Sequence, residues 1–578
     1  MTKKLFPLFL IVAIALLSVF LYKRDGGQKN NKINLAINNK IKSFDPAVAF
    51  NDDSLLVMGQ TLETLYQYHY LKRPFEVIPL LADGMPEISE DGKTYTIKIK
   101  KDILYQNHNQ DFQGPRTVKA QDFIWQIKRL AFKPLKSTGT WLFEGKLKGF
   151  NEFSEKVGES SEKFLTENIS GLSAPDEYTL KIELKRPEPN LLYFLSMTFT
   201  TPVPLELINN YNNDLSQVLV GTGPYQFRKF DGQSYFFSKF EKFHKEVYPS
   251  TGDRYANTEN LLSSSKEQLP FIRKIEFKII NDEDLRWREF GEGNIDILDV
   301  PKKYLSQLSN PSTATSQEFS KKGIEVKHFS RQTSRWLGFN MNDPLLGKSK
   351  NLRRAIAHAI DYSKYIEILT NNTNLKSNSI FNPSIPGYRP SHQLPYYYDL
   401  TMAKKYLGRA LTELGIKPGE LTLTYSTRGK QDIHHEEAAF LQHSLSQIGI
   451  NVVINEIEFS EFLKLGRAGK LQFWTDNWIY DYPDAENILQ LLISKNHPGI
   501  NKSGYSNKQV DHLYNQLSKT LDKESRFEIM YEIEKIVEQE LPWLMLMYES
   551  TYIVQQKDIK NFRKSFFIRN YIKYLEKN

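Results

Sequence analysis

The hydrophobic pattern of this chain changes period repeatedly along its length, and that alternation narrows the folds open to it. In KTYTIKIKK, Tyr95, Ile97 and Ile99 fall on one face of a two-residue repeat, and in YTLKIEL the residues Tyr178, Leu180, Ile182 and Leu184 do the same. Both patterns predict half-buried strands. RKIEFKII and NIDIL predict two more, separated by DEDLRWREFGEG, a helix pattern that ends at glycine. In NLRRAIAHAIDYSKYI, Leu352, Ala355, Ile356, Ala359 and Ile360 recur at helical spacing and form one apolar stripe. HHEEAAFLQHSLSQIGINVVINEIEF reads as a helix stopped near Gly449 and followed by a strand. Strands interleaved with helices, with no fixed-period repeat, imply an α/β protein. The stretch from Glu241 to Gln268 lacks either period, contains Pro249 and Gly252, and is expected to be a surface excursion.

Composition excludes several functions. With 578 residues, 40% hydrophobic and 25% charged, the chain is long enough for several packed lobes. The net charge of +8 owes four units to Lys3, Lys4, Lys23 and Arg24, so the body is too balanced to predict a nucleic-acid-binding stripe. Cysteine is absent, which removes disulfides, thiol catalysis and cysteine-ligated metals. Leu5 to Tyr22 carries eighteen residues without a formal charge. As a helix it would reach roughly 27 Å, close to the hydrocarbon thickness of a bilayer. No small-residue cleavage site follows, so residues 1–32 are expected to be a retained membrane anchor and linker, with a cleaved export signal as the alternative. Either way the body is expected to lie outside the cytoplasm.

Three chemical motifs fail on spacing. HHEEAAFLQH places Ala439 where a zinc-binding helix would need its second histidine. GTGPYQF, Gly221 to Phe227, opens like a phosphate loop, but Pro224 removes a backbone donor and no Lys-Ser or Lys-Thr pair follows, so it is expected to be a turn feeding a strand. No G-x-S-x-G elbow is present to support serine hydrolysis.

The segments SFDPAVAFNDDSLLVMGQTLETLY, LLADGMPEISEDGKTYTIKIKKDI, VKAQDFIWQIKRLA, GTGPYQF, GEGNIDIL, LGFNM with LRRAIAHAID, and NWIYDYPDAENIL follow one another in an order that resembles the family 5 extracytoplasmic solute-binding proteins, the oligopeptide- and dipeptide-binding receptors of ABC importers. The resemblance spans about residues 33 to 550. It implies a two-lobed, periplasmic-binding-protein-like α/β fold (type II, cluster C) with an extra inserted domain and a hinge. Lobe I would comprise 33–70, 200–300 and 545–578, the insertion 71–199, and lobe II 301–544. The implied function is capture of short peptides between the lobes for delivery to an ABC permease and its ATPase, by a monomer, without cofactor, metal or nucleic acid. Alternatives within the fold are a receptor for nickel chelates, sugars or cell-wall peptides, or a chemosensory receptor; a membrane-anchored peptidase is the least favoured reading.

A receptor for many peptides must hold what all peptides share, the backbone and the charged ends, and a carboxylate suits the ammonium end. In the family this carboxylate is an aspartate three residues after a tryptophan. Trp478 and Asp481 match that spacing and Tyr482 follows; Asn477 replaces the usual glycine and Tyr480 a small residue. Asp484 and Glu486 are expected to flank the following helix. The resemblance also points to Phe459, Tyr548, His435, Trp141, Asn51 and Asp52 as pocket or backbone contacts; Phe459, Trp141 and Tyr548 are equally readable as core or rim aromatics. Arg331 and Arg335 are candidates for the ligand carboxylate, with surface solvation the favoured role for both. If Leu5 to Tyr22 is a retained anchor, the full-length protein should sediment with membranes and resist carbonate extraction, whereas a chain beginning at Asn31 should stay in the supernatant. A mature N-terminus beyond Tyr22 would reject the anchor.

Overall fold

The computed structural model describes residues 31–106, 111–308 and 313–577, so the apolar run Leu5 to Tyr22 lies outside them. None of the described helices is long and apolar enough to cross a membrane.

Two strands organise the molecule. Glu325–Phe339 and Trp543–Gln555 are 15 and 13 residues long, and they pair antiparallel from Glu325 opposite Gln555 to Gly338 opposite Trp543. At 3.2–3.4 Å per residue each is two to three times the ordinary strand length, so each can serve two lobes. At one end Trp543–Gln555 pairs with Ile297–Asp299, and the sheet continues through Lys32–Ile37, Lys274–Ile279, Ser234–Lys239 and Tyr225–Phe230. At the other end Glu325–Phe339 pairs with Phe473–Ile479, and the sheet continues through Thr422–Ser426 to Asn451–Asn455. The register slips between Ser330/Ser550 and Ser334/Tyr548, so Arg331, Gln332 and Thr333 bulge where the two halves meet.

A separate four-stranded antiparallel sheet, ordered Glu87–Ile88, Thr94–Lys98, Thr179–Glu183, Leu172–Asp176, packs with the helix Ala120–Ala131. Here the two-residue alternation holds: Tyr95, Ile97, Ile99, Leu180, Ile182 and Leu184 are all buried. GTGPYQF is the expected turn into the strand Tyr225–Phe230. Its glycine is required by close approach, since a Cβ on Gly221 would lie 2.3 Å from the Thr61 carbonyl oxygen.

Three expectations are corrected. The stripe through NLRRAIAHAIDYSKYI is two helices, Lys350–Ala359 and Tyr362–Thr370, because Asp361 turns extended and accepts the amides of Ser363 and Lys364 as an N-cap. The segment 241–268 is more than a surface excursion. Its isolated apolar residues Tyr248, Ala256 and Leu261 are core, and Glu246, between Gln67 and Lys573, is tied into the lobe. Single anchors at irregular spacing leave no period to read.

Arg335 is not surface-solvated. It is buried and forks onto Glu437 at 2.7 and 2.8 Å, with Tyr365, Tyr425 and Thr475 completing the carboxylate's shell. Burial raises the Glu437 pKa, but the Arg335 charge and these hydrogen bonds outweigh it and hold the carboxyl well below the usual range. Removing one partner of such a pair strands a buried charge. Arg335→Ala should therefore lower the unfolding free energy by about 3–5 kcal/mol, measured by denaturant titration; a loss below about 1 kcal/mol, the level of an exposed pair, would sink this account.

Candidate functional site

The strand Phe473–Ile479 is paired along one edge with Glu325–Phe339, from Phe339 opposite Phe473 to Thr333 opposite Ile479. Along its other edge Thr422–Ser426 reaches only Phe473 and Trp474. From Thr475 onward that edge has no strand partner among the described residues. Tyr480 donates its amide to the Gln332 carbonyl at 2.9 Å, so by antiparallel alternation Asn477 and Ile479 turn their backbone groups to the open edge. The Asp476 carboxylate accepts the Asn477 amide at 3.0 Å, while Ile479, 62% exposed, stands at the rim.

The chain then enters the loop that carries Asp481. Asn487, fully buried, accepts the Trp478 indole N–H at 2.8 Å and the Asp481 amide at 3.1 Å on one oxygen, and donates to the Asp481 carboxylate at 3.1 Å. One side chain thus orients both residues of the tryptophan–aspartate spacing. Among the described residues no cation pairs with Asp481. Burial raises its pKa, and the Asn487 hydrogen bond lowers it by less. Tyr68 lies near this carboxylate: burial, then Tyr193, then the Asp481 charge push its hydroxyl pKa up, and among the described residues that hydroxyl has no hydrogen-bond partner. A half-buried carboxylate thus stands beside an unsatisfied hydroxyl.

Tyr482 crosses the seam. Its ring is enclosed by Trp141, Tyr193 and Phe194 at centroid separations of 6.3, 6.0 and 5.4 Å, inside the apolar core of the four-stranded-sheet unit. Tyr193 also stacks on Tyr68 at 6.0 Å, so a run of rings joins both sides to the Asp481 loop. Beside it Asp484 accepts the Glu486 amide at 2.9 Å, the helix-flanking role expected, and holds Arg526 at 2.6 and 2.7 Å. Glu486 turns across the seam, where Asn190 donates to it at 2.6 Å and also gives its backbone amide to Glu188 at 3.3 Å.

Other expected residues fall in different surroundings. Phe459 is exposed beneath the Arg428 guanidinium, which reaches Asp476 at the open edge. Trp478 lines a cavity of about 120 Å³ with Trp336, Trp474, Arg467 and Lys502. The buried Tyr480 side chain packs in the core beside Trp336. Tyr548 is buried, its hydroxyl set between the Ser379 amide and carbonyl. His435 is exposed on its helix and faces Glu456 at 3.0 Å. Asn51 caps the helix Asp52–Met58, and Asp52 pairs with Arg569 at 2.6 Å. Asp52 and Arg331 line a second cavity of about 470 Å³ at the strand bulge, where Arg331 lies over Phe566 at 4.8 Å rather than in open solvent. Sequence reasoning missed Asn487, although it sits inside the quoted motif, and Tyr68 and Tyr193, which have no local signal.

The profile for bacterial extracellular solute-binding proteins, family 5 (middle region), matches residues 76–499. The chain belongs to that family. This family 5 protein is 23% identical over 536 residues to a protein named dipeptide-binding protein DppE from Bacillus subtilis, covering 90% of this chain and 87% of the relative. It is 24% identical to the oligopeptide-binding protein OppA of the same species, covering 92% and 91%. Its fold resembles HbpA2 from Haemophilus parasuis, with a TM-score of 0.75 at 19% identity, covering 95% of this chain and 100% of that one. It also resembles DppA from Helicobacter pylori solved with the peptide STSA, with a TM-score of 0.66 at 23% identity, covering 94% and 98%.

The seam has a pH signature. Burial and the neighbouring Glu486 charge push the Glu188 carboxyl up to about 7, against Lys146 and Arg186, which pull it down. Glu486 is raised by burial and Asp484, with Arg526, Lys146 and Arg186 opposing. A carboxyl raised in the folded state contributes stability that is present below its unfolded pKa and lost as pH rises through its folded one. Thermal stability should therefore fall between pH 4.5, the ordinary glutamate value, and about 7, and Glu188→Gln should flatten that fall. Equal pH slopes in the two proteins, measured by calorimetry, would reject the assignment.

Proposed function

We propose that this protein is the receptor of an ABC importer, closing on a short peptide whose ammonium end is held by Asp481. The observation that carries the reading is the unpaired, desolvated Asp481 carboxylate at the end of an open strand edge. An extended peptide laid on that edge would meet the Asn477 carbonyl and the backbone groups of Ile479, the Asn477 amide being held by Asp476, a mode of recognition that takes affinity from the main chain and leaves side chains to pockets. The cavity beside Trp478 offers one such pocket. Arg467 and Lys502 also line it.

The proposed division is lobe I from 33–70, 200–300 and 545–578, an insertion from 71–199, and lobe II from 301–544, hinged at the bulge Arg331 to Thr333. Tyr482, immediately after the ligand carboxylate, couples occupancy to closure by seating in the ring of Trp141, Tyr193 and Phe194. The relatives named for dipeptides and oligopeptides, and the neighbour holding a tetrapeptide, favour peptide over the other solutes of the fold. The reading includes an extracytoplasmic, monomeric body tethered through Leu5 to Tyr22, partnered by a permease and ATPase, with no catalytic step of its own.

Because the carboxylate is desolvated without a cation, replacing it should have opposite effects on stability and binding. Asp481→Asn keeps the shape, so the ligand-free protein should melt at a higher temperature. Affinity for short peptides that copurify with the protein, identified by mass spectrometry and resynthesised, should fall at least about tenfold, equivalent to about 1.4 kcal/mol. Acetylating the amino end should weaken binding to the unmodified protein and have little further effect on Asp481→Asn. If acetylation weakens both proteins equally by calorimetry, the amine is held elsewhere. No effect in either would move the ligand away from peptides with a free amino end.

A further inference from the structure

The helix Lys523–Glu540 presents Glu534 and Glu538 one turn apart on its buried face. His392 approaches them from a loop, its Nε2 2.8 Å from Glu538 and 3.8 Å from Glu534. Ligand atoms of a tetrahedral zinc site, at about 2.0–2.1 Å from the metal, lie about 3.3 Å apart. The two separations bracket that value. The loop is held in place: Asn378 donates to the carbonyls of Pro390 and His392 at 2.9 and 3.1 Å, and Ser379 hydrogen-bonds Glu534 from below. This is the fixed outer shell that metal-binding side chains require.

Charge in the cluster is incomplete. Arg389 reaches Glu534 at 2.6 Å and His392 Nδ1 at 3.3 Å, lying over the Tyr531 ring at 4.0 Å. Among the described residues no lysine or arginine pairs with Glu538. Arg389 is the more exposed member, its side chain 39% accessible against 2% for Glu534, so it can swing into solvent while the acids cannot. We propose that His392, Glu534 and Glu538 form a zinc-binding site outside the peptide cleft, for which the Arg389 guanidinium is the built-in competitor. Imidazole and carboxylate ligands suit zinc, and three such ligands leave the fourth tetrahedral position to water.

The test is zinc titration of the full-length protein by calorimetry, with variants because eleven histidines provide weak background sites. Glu538→Gln, which keeps the shape and loses the carboxylate ligand, and His392→Ala should each weaken the tightest site at least about tenfold. Arg389→Gln should strengthen it by a similar factor, a gain that misfolding cannot mimic. The affinity of Asp481→Asn for zinc should be unchanged. An unchanged tightest site in Glu538→Gln, or weaker binding in Arg389→Gln, would overturn the proposal.

Discussion

The antiparallel pairing of Glu325–Phe339 with Trp543–Gln555 is the interaction on which the rest of the molecule depends. Each strand contributes to both half-sheets, so neither lobe has a complete sheet without the other's chain. Continuous hydrogen bonding along so long a ladder would make one stiff plate. The slip at Arg331 to Thr333 interrupts the ladder where the halves join and bends it locally. Two lobes joined by a pair of strands with a local irregularity can rotate while each keeps its own core. The ordering of cores agrees: Leu337 to Met547 close around one, Ile33 to Leu575 around another.

A second theme is how carboxylates are treated. Glu437 is buried and fully satisfied by Arg335 and three hydroxyls, and it anchors the second lobe beneath the strand that carries the site. Asp481, on the continuation of that same strand, is half-buried and among the described residues its carboxylate receives only the Asn487 amide. The difference decides their uses. A satisfied charge has nothing left to offer a ligand, whereas an unsatisfied one costs stability until a cation arrives. Glu188 and Glu486 form an intermediate case, two acids sharing Asn190, so their proximity carries an electrostatic cost that protonation relieves.

Much of the fold was legible because it rests on local periodicity. The strands containing Ile97 and Ile182, the helix Glu283–Gly291 and the helix–strand pair ending at Asn455 follow directly from spacing and caps. The break at Asp361 was hidden because an aspartate on a helix stripe and an aspartate capping a new helix look alike in one dimension. In the site, Trp478, Asp481 and Tyr482 were legible as a spacing, and Asn487 was within reach of the same segment.

What the sequence determined by itself was therefore the succession of elements, the family order of its motifs and the identity of the short stretch around Asp481, all properties of residues close together in the chain. Tertiary structure alone decided which charges are matched. Arg335 meets Glu437 across 102 residues, Asn190 meets Glu486 across 296, and Tyr482 finds its ring of aromatics in a core built from residues before 221. Electrostatic and apolar contacts act through space over a few ångströms, and sequence distance carries no information about which distant side chain will fill that space or, as at Asp481, leave it open.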